Sequence, residues 1–311
     1  MKKNILISGV CGFIGSNLAE YLINKKYNVI GIDNFSTGLI ENIDKIIDND
    51  NFKFIEHDIK EKIFLDIKID LIFHLASLAS PKFYFLKPLE TLRTGSIGSE
   101  NMLELALKHK SKILLASTSE IYGDPLEHPQ KESYNGNVNP IGKRSVYDES
   151  KRYMESLAMT YHYKYKLNVK IARIFNTYGP KMRIDDGRVL PTFLNQALNN
   201  KPYTIFGDGN QTRSFCYIDD TINGLYKLIN SNINKPVNIG SPNEISIMEL
   251  TKKINSILNI DNSIEFKSIF ENDPKMRKPD ISKAKKQLKW FPKISLQDGI
   301  KLTLSYYEKT N

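Results

Sequence analysis

Ile5-Leu-Ile-Ser-Gly9-Val-Cys-Gly12-Phe-Ile-Gly15-Ser-Asn-Leu18 is the stretch on which the fold turns. An apolar run ends in spaced glycines, and a helix-period segment opens directly after them. Read physically, this is a buried strand, a tight turn and a helix. Small residues there let the backbone approach a pyrophosphate, whose charge the helix N-terminus favours. A strand-to-helix turn with no ligand has the same spacing, so the motif needs support from elsewhere in the chain. The glycines, with Asn17, also break the apolar run where a secretory leader needs continuity.

Outward from this stretch, the short apolar runs Asn28–Ile32, Phe52–Glu56, Leu71–Leu75, Lys112–Ser117 and Val169–Ile174 alternate with helix-period segments. Such alternation predicts a doubly wound, Rossmann-type α/β fold, with a parallel sheet covered on both faces and ligands at the carboxyl ends of its strands. After Gly179-Pro180 the alternation loosens. Residues 1–180 are therefore predicted to form a dinucleotide-binding domain and 181–311 mainly a smaller substrate-binding lobe, with 236–240 returning to the sheet as a strand. A length of 311 residues suits that division.

Composition narrows the function classes. With 41% hydrophobic and 25% charged residues, the chain is neither disordered nor membrane-embedded, and no apolar stretch approaches the ~18 residues of a bilayer span. Cys11 and Cys216 are too isolated for a disulfide framework, which suits a reducing cytoplasm, and the scattered histidines give no metal spacing. The formal charge of +9 comes from dispersed bases without interleaved aromatics. An anionic small molecule is the expected partner, not nucleic acid or a membrane.

Further residues carry chemistry. Asp33, ending the second strand, is placed to accept from a ribose 2′-hydroxyl and to repel a 2′-phosphate, which favours NAD over NADP. Asp58, after the third strand, is open to two readings, an adenine-edge contact or an N-cap before Ile59-Lys60-Glu61. Tyr147 and Lys151 are one helical turn apart on one face, where a lysine ammonium would favour the phenolate and make Tyr147 a base. Thr118, in Ser117-Thr-Ser-Glu120, ends the fifth strand, at the edge where such sheets place catalytic side chains.

Gly9–Gly15, the Thr118/Tyr147/Lys151 set and the alternation resemble the extended short-chain dehydrogenase/reductase family over essentially the whole chain. Ser117–Gln130, Gly136–Gly142, Arg173–Pro180, Asp186–Val189, Gln211–Phe215 and Arg277–Lys283 are similar, more narrowly, to its UDP-glucuronate decarboxylase branch. The resemblance implies a carboxy-lyase that uses NAD to pass UDP-glucuronate through a 4-keto stage to UDP-xylose. It implies Tyr147, with Lys151 and Thr118, as the base, and Ser119, Glu120 and Arg277 around the sugar carboxylate and C5. Arg277 would orient the carboxylate; its bland alternative is a surface residue of the basic run Lys275–Lys278. For the cofactor it implies Gly9, Gly12, Phe13, Ile14, Gly15, Asp33, Asn34, Phe35, Thr37, Asp58, Ile59, Leu75, Ala76, Ser77 and Thr177 together with Tyr147 and Lys151. For the sugar nucleotide it implies Pro81, Tyr84, Arg93, Asn176, Arg188 and Arg213.

The same resemblance implies a homodimer through helices near Leu89–Lys108 and Glu149–Tyr165. Sister reactions remain open alternatives: 4-epimerisation, 4,6-dehydration, release of the 4-keto pentose, or a silent NAD-binding sensor. Ser119, where a dehydratase needs an acid, weighs against dehydration, and Glu120 with Arg277 against epimerisation. Two departures from the family pattern stand out. Val10-Cys11 replaces the more usual Gly-Ala, which puts NAD retention in question, and Leu78 replaces a proline, which is expected to loosen the loop beside the sugar.

Overall fold

Strands of a parallel sheet are buried on both faces, so they need side chains that are apolar in both directions. The computed structural model describes residues 2–268 and 276–310. In it the apolar runs form β1 (Asn4–Ser8), β2 (Asn28–Asp33), β3 (Phe52–Glu56), β4 (Leu71–His74), β5 (Lys112–Thr118) and β6 (Val169–Ile174). Short strands follow: β7 (Thr177–Tyr178), β8 (Tyr203–Phe206), β9 (Thr212–Ser214), β10 (Cys216–Tyr217), β11 (Val237–Ile239), β12 (Glu244–Ser246), β13 (Ile264–Lys267) and β14 (Met276–Arg277). The central sheet is seven-stranded, in the order β11-β6-β5-β4-β1-β2-β3, and every pair in it is parallel. The order reverses between β1 and β4, so a crevice opens at their carboxyl ends.

Alternating side chains give the sheet two cores. Leu6, Ile32 and Ile72 pack with Met102, Leu103 and Met154 on one face. Ile5, Ile7 and Leu18 on the other belong to a cluster that runs on through Leu190, Phe193, Tyr203 and Trp290 of the second half. Helix Ile218–Ile229 ties that half back to helix Phe13–Asn24: the Tyr226 ring lies 5.4 Å from that of Tyr21, and its hydroxyl is 2.9 Å from that of Tyr27. Beyond the main sheet, β9 is flanked by antiparallel β12 and parallel β14, which sets Arg277 in register with Arg213. β8 pairs with β13, and β7 with β10.

Both departures find their place in the packing. Val10 is fully buried, and its side chain fills the space beside Gly31 of β2, where an added Cβ would meet it at 2.6 Å. The Cys11 amide donates to Asp33 at 2.9 Å and its carbonyl accepts from Asn42 at 2.8 Å, so the substituted turn is held on both sides. Leu78 is buried, so the loop it was expected to loosen is anchored by it. Among the described residues no helix is long and apolar enough to cross a membrane.

Candidate active site

A cleft of about 850 Å³ runs from the glycine turn, past the carboxyl ends of the central strands, to the second half of the chain. At its first end, Gly9 has φ +77°, and a Cβ on Gly15 would lie 2.0 Å from the Gly9 carbonyl oxygen. Only glycine permits this closeness of strand and helix. Helix Phe13–Asn24 begins there with Gly12 as its N-cap and no side-chain cap, leaving its first amides for an anion. Asp33 closes β2 beside a smaller recess lined by Asn34, Thr37, Asp58, Ile59, Ala76 and Ser77. Its carboxylate accepts from the amides of Cys11 and Phe35, both at 2.9 Å, and burial raises its pKa against those bonds. An uncapped helix start, a close glycine turn and a strand-end carboxylate together fit a dinucleotide with a free ribose 2′-hydroxyl.

Midway along the cleft, Thr118 ends β5 and its Oγ1 accepts from the Glu120 amide at 3.2 Å. Helix Ser145–Tyr165 brings Tyr147 to the same stretch of the cleft. The Tyr147 ring stacks on Tyr84 with centroids 5.2 Å apart and planes 7° off parallel. Lys151 is buried; its Nζ donates to the Ala116 carbonyl at 2.8 Å and lies 5.8 Å from the Tyr147 ring centroid. Burial brings Lys151 down to about 8, opposed by Glu155. Burial also pushes the Tyr147 phenol up to about 12, and Arg188 and Thr118 only partly offset this. Desolvation of the phenolate is the largest cause of that rise in the free chain.

Beyond Thr118 sits an ion cluster. Glu120 accepts through Oε1 from Arg277 and through Oε2 from Arg144 at 2.7 Å. Burial alone would raise this carboxyl, but Arg277, Arg144 and Arg213 outweigh it and hold it at about 2. Arg277 also donates to Ser119 Oγ at 3.2 Å and to the Gly123 carbonyl at 3.1 Å. Asp148, buried on the catalytic helix, is pushed up to about 7 by its burial and by Glu120.

The cleft and its recess bring together nearly every residue read from the sequence, including Leu75, Pro81, Tyr84, Asn176, Thr177, Arg188 and Arg213. Three stand apart. Phe35 turns its ring onto Phe54, 5.4 Å away, and offers Asp33 only its amide. Arg93 is 57% exposed on helix Pro88–Arg93 and lines neither the cleft nor the recess, although its partner Glu90 borders the recess. Arg277 is buried behind Glu120, which corrects its surface reading; Lys275 of that basic run lies outside the described residues. Asp58 caps a turn, accepting from the Lys60 amide at 2.9 Å, while also bonding Asn34 in the recess. The sequence reading missed Arg144 and Asp148, although a helix that carries Tyr147 and Lys151 on one face places Arg144 one turn earlier.

The chain matches the family model described as GDP-mannose 4,6 dehydratase over residues 6–303. It is similar to UDP-glucuronic acid decarboxylase 1 of Arabidopsis thaliana, 50% identical over 299 residues that make up 96% of this chain and 68% of that protein. Among solved structures it is similar to the UDP-glucose 4-epimerase of Thermotoga maritima with UDP-glucose, at TM-score 0.92 and 31% identity over 99% of each chain. It is also similar to the UDP-glucuronic acid 4-epimerase of Bacillus cereus in complex with UDP-glucuronic acid and NAD, at TM-score 0.86 and 31% identity over 99% of this chain and 100% of that one. The backbone is thus shared by several nucleotide-sugar enzymes, while half of all positions are shared with a decarboxylase across nearly the whole length. This chain belongs to the UDP-glucuronic acid decarboxylases, a branch of the extended short-chain dehydrogenase/reductase family.

Proposed function

We propose that this chain converts UDP-glucuronate to UDP-xylose and carbon dioxide, holding NAD along the glycine turn and Asp33 and the sugar nucleotide between Tyr84, Asn176, Arg188 and Arg213. When bound, NAD supplies a reversible hydride acceptor for C4 of the sugar. Tyr147, which lines the cleft with Thr118, takes the 4-hydroxyl proton, and Lys151 fixes the helix face by its bond to the Ala116 carbonyl. In the 4-keto acid the carboxylate is β to a carbonyl, so its bonding electrons flow into the ketone as carbon dioxide departs. Thr118 and Tyr147 donate hydrogen bonds to the enolate oxygen that forms. C5 is then protonated and C4 reduced. Arginines at the nucleotide end suit a pyrophosphate, whose oxygens match the planar guanidinium fork.

The observation that carries this reading is Glu120, fixed between two guanidinium groups two residues after Thr118, with neutral Ser119 where elimination needs an acid. The test is to mix the chain with UDP-glucuronate and follow carbon dioxide, UDP-xylose and NADH absorbance. Carbon dioxide and UDP-xylose with no net NADH are expected. The 4-keto pentose with stoichiometric NADH would replace the final step, and absence of both products would end the proposal. Tyr147→Phe should abolish turnover yet bind UDP-glucuronate nearly as well.

We infer a homodimer from Phe85, Leu86, Leu89, Leu92 and Tyr153, apolar side chains exposed on helices Pro81–Leu86, Pro88–Arg93 and Ser145–Tyr165. Sedimentation at monomer mass would refute it. The free, buried Cys11 and Cys216 suit a reducing compartment, in keeping with a cytoplasmic setting.

A further inference from the structure

A buried ammonium such as that of Lys151 needs a counter-charge. Tyr147, Lys151 and Glu155 follow one another at i, i+4 and i+8, so a carboxylate continues the stripe that the reacting side chains begin. Glu155 is 12% exposed and held on both oxygens: Oε1 accepts from Ser117 Oγ at 2.5 Å and from Arg173 Nε at 3.0 Å, and Oε2 from the other arm of Arg173 at 2.8 Å. Two adjacent residues of β5 are thereby bonded to two helix residues one turn apart, Ala116 to Lys151 and Ser117 to Glu155, and Thr118 comes next. Arg173, on β6, is locked in turn by donating to the Tyr122 hydroxyl at 3.0 Å and the Glu132 carbonyl at 3.1 Å. From β4, His74 bonds the hydroxyls of Ser8 and Ser99, and burial, then Lys151, brings it down to about 3, so it meets the ammonium as a neutral ring. On the cleft side Arg188 acts on Tyr147, and Asp148 on Glu120 and Arg144. Burial favours the neutral amine of Lys151, and Glu155 is the charge that opposes it.

Resting on the function proposed above, we propose that Glu155 is a positioning residue for the reaction: it is the fixed counter-ion that keeps Lys151 an ammonium beside Tyr147, and Arg173 sets how strongly that carboxylate is felt. With both oxygens bonded, Glu155 acts on Lys151 across space while Lys151 keeps its bond to the Ala116 carbonyl. A direct ion pair would instead draw the ammonium along the helix, away from Tyr147. Removing the charge of Glu155 leaves Lys151 with burial and an unpaired guanidinium, both of which favour the neutral amine. Removing the charge of Arg173 does the reverse. The two halves of one ion pair therefore move Lys151 in opposite directions, whereas a merely structural pair harms both variants alike.

The test is the pH profile of kcat/KM for carbon dioxide release from UDP-glucuronate by the NAD-loaded full chain. In Glu155→Gln the alkaline decline should move down by about one pH unit from the wild-type value near 8. Activity is then about eightfold lower at about pH 8.5 yet within about twofold at about pH 6, where Lys151 is charged in both proteins. In Arg173→Gln the decline should move up instead. The double variant Glu155→Gln/Arg173→Met, which buries no unpaired charge, should keep the downward shift and serves if the single variants do not fold. A loss that is equal at every pH, or a shift of the same sign in both single variants, overturns the assignment. A wild-type chain that releases no carbon dioxide removes the functional reading and this inference with it. Carbon dioxide release by the wild type with an unmoved decline in Glu155→Gln removes the inference alone.

Discussion

Glu120→Gln separates what the ion cluster does for stability from what it does for chemistry. Its side chain is 19% exposed and that of Arg277 only 3%, so removing the carboxylate leaves a guanidinium buried without its counter-charge. Breaking a buried pair in this way costs about 3–5 kcal/mol, and the glutamine oxygen recovers about 1 kcal/mol by still accepting one bond. At roughly 2–4 °C per kcal/mol for a chain somewhat smaller than this one, Tm should fall by roughly 5–15 °C. The pH dependence gives a second handle. The arginines hold the folded carboxyl at about 2, below its unfolded value, against the opposing effect of burial. Its contribution is therefore present above the unfolded value and lost as pH falls toward about 2, so the gap between wild type and variant should close on acidification. Pairing the change with Arg277→Met removes both charges, and the double variant should recover most of the lost stability while forming no UDP-xylose. Thermal and urea unfolding measure the first quantity, chromatography of the nucleotide sugars the second. A drop of under about 1 kcal/mol in Glu120→Gln, or a double variant no more stable than the single one, refutes the buried-pair account.

Two further outcomes follow from the same geometry. Burial brings Lys151 down to about 8, so kcat/KM, which reports the free enzyme, should decline as pH rises past that value; a profile flat to strongly alkaline pH would detach Lys151 from the reaction. The stability sign is opposite: above about 8 the folded chain holds fewer protons than the unfolded one, so Lys151 favours folding increasingly as pH rises toward its ordinary 10.5. Gly15→Ala places a methyl 2.0 Å from the Gly9 oxygen, so the turn must open; about 1–3 kcal/mol of stability and most of the NAD affinity should be lost, and NAD titration showing wild-type binding would contradict the close-approach argument.

The central sheet was legible because parallel strands buried on both faces read as continuous apolar runs, and β11 was found within its expected span 236–240 for the same reason. Gly9–Gly15 and Tyr147–Lys151 were legible because their chemistry is local, set by a turn or by one helical pitch. Pairings that cross the chain were not. β9 between β12 and β14 is short and carries no apolar residue, so nothing local predicts that Arg277 comes into register with Arg213 behind Glu120. For Tyr147, helix spacing shows which charge is near, but the desolvation that opposes its ionisation depends on walls supplied by Tyr84 and other distant segments. Val10 read as a departure because its compensation, the space beside Gly31, lies on another strand.

A backbone shared at TM-score 0.86 with an epimerase solved with UDP-glucuronic acid and NAD leaves the choice of reaction to a few side chains, and Ser119 is the most economical place to look. It is 2% exposed, and its Oγ accepts from Arg277 at 3.2 Å. An acid here would serve elimination, and it would also stand beside Glu120 and the incoming carboxylate. Two unit charges at about 4 Å repel by roughly 4 kcal/mol at an effective dielectric of about 20, and Arg277 would cancel part of that. Neutrality at this one position thus both withholds the acid a dehydratase needs and admits a uronate. Ser119→Asp is expected to weaken UDP-glucuronate by at least about tenfold while sparing UDP-glucose, a pattern of like-charge exclusion. Should both ligands bind the variant as they bind the wild type, charge at position 119 does not govern which sugar enters, and the discrimination must be sought deeper in the pairing of Glu120 with its arginines.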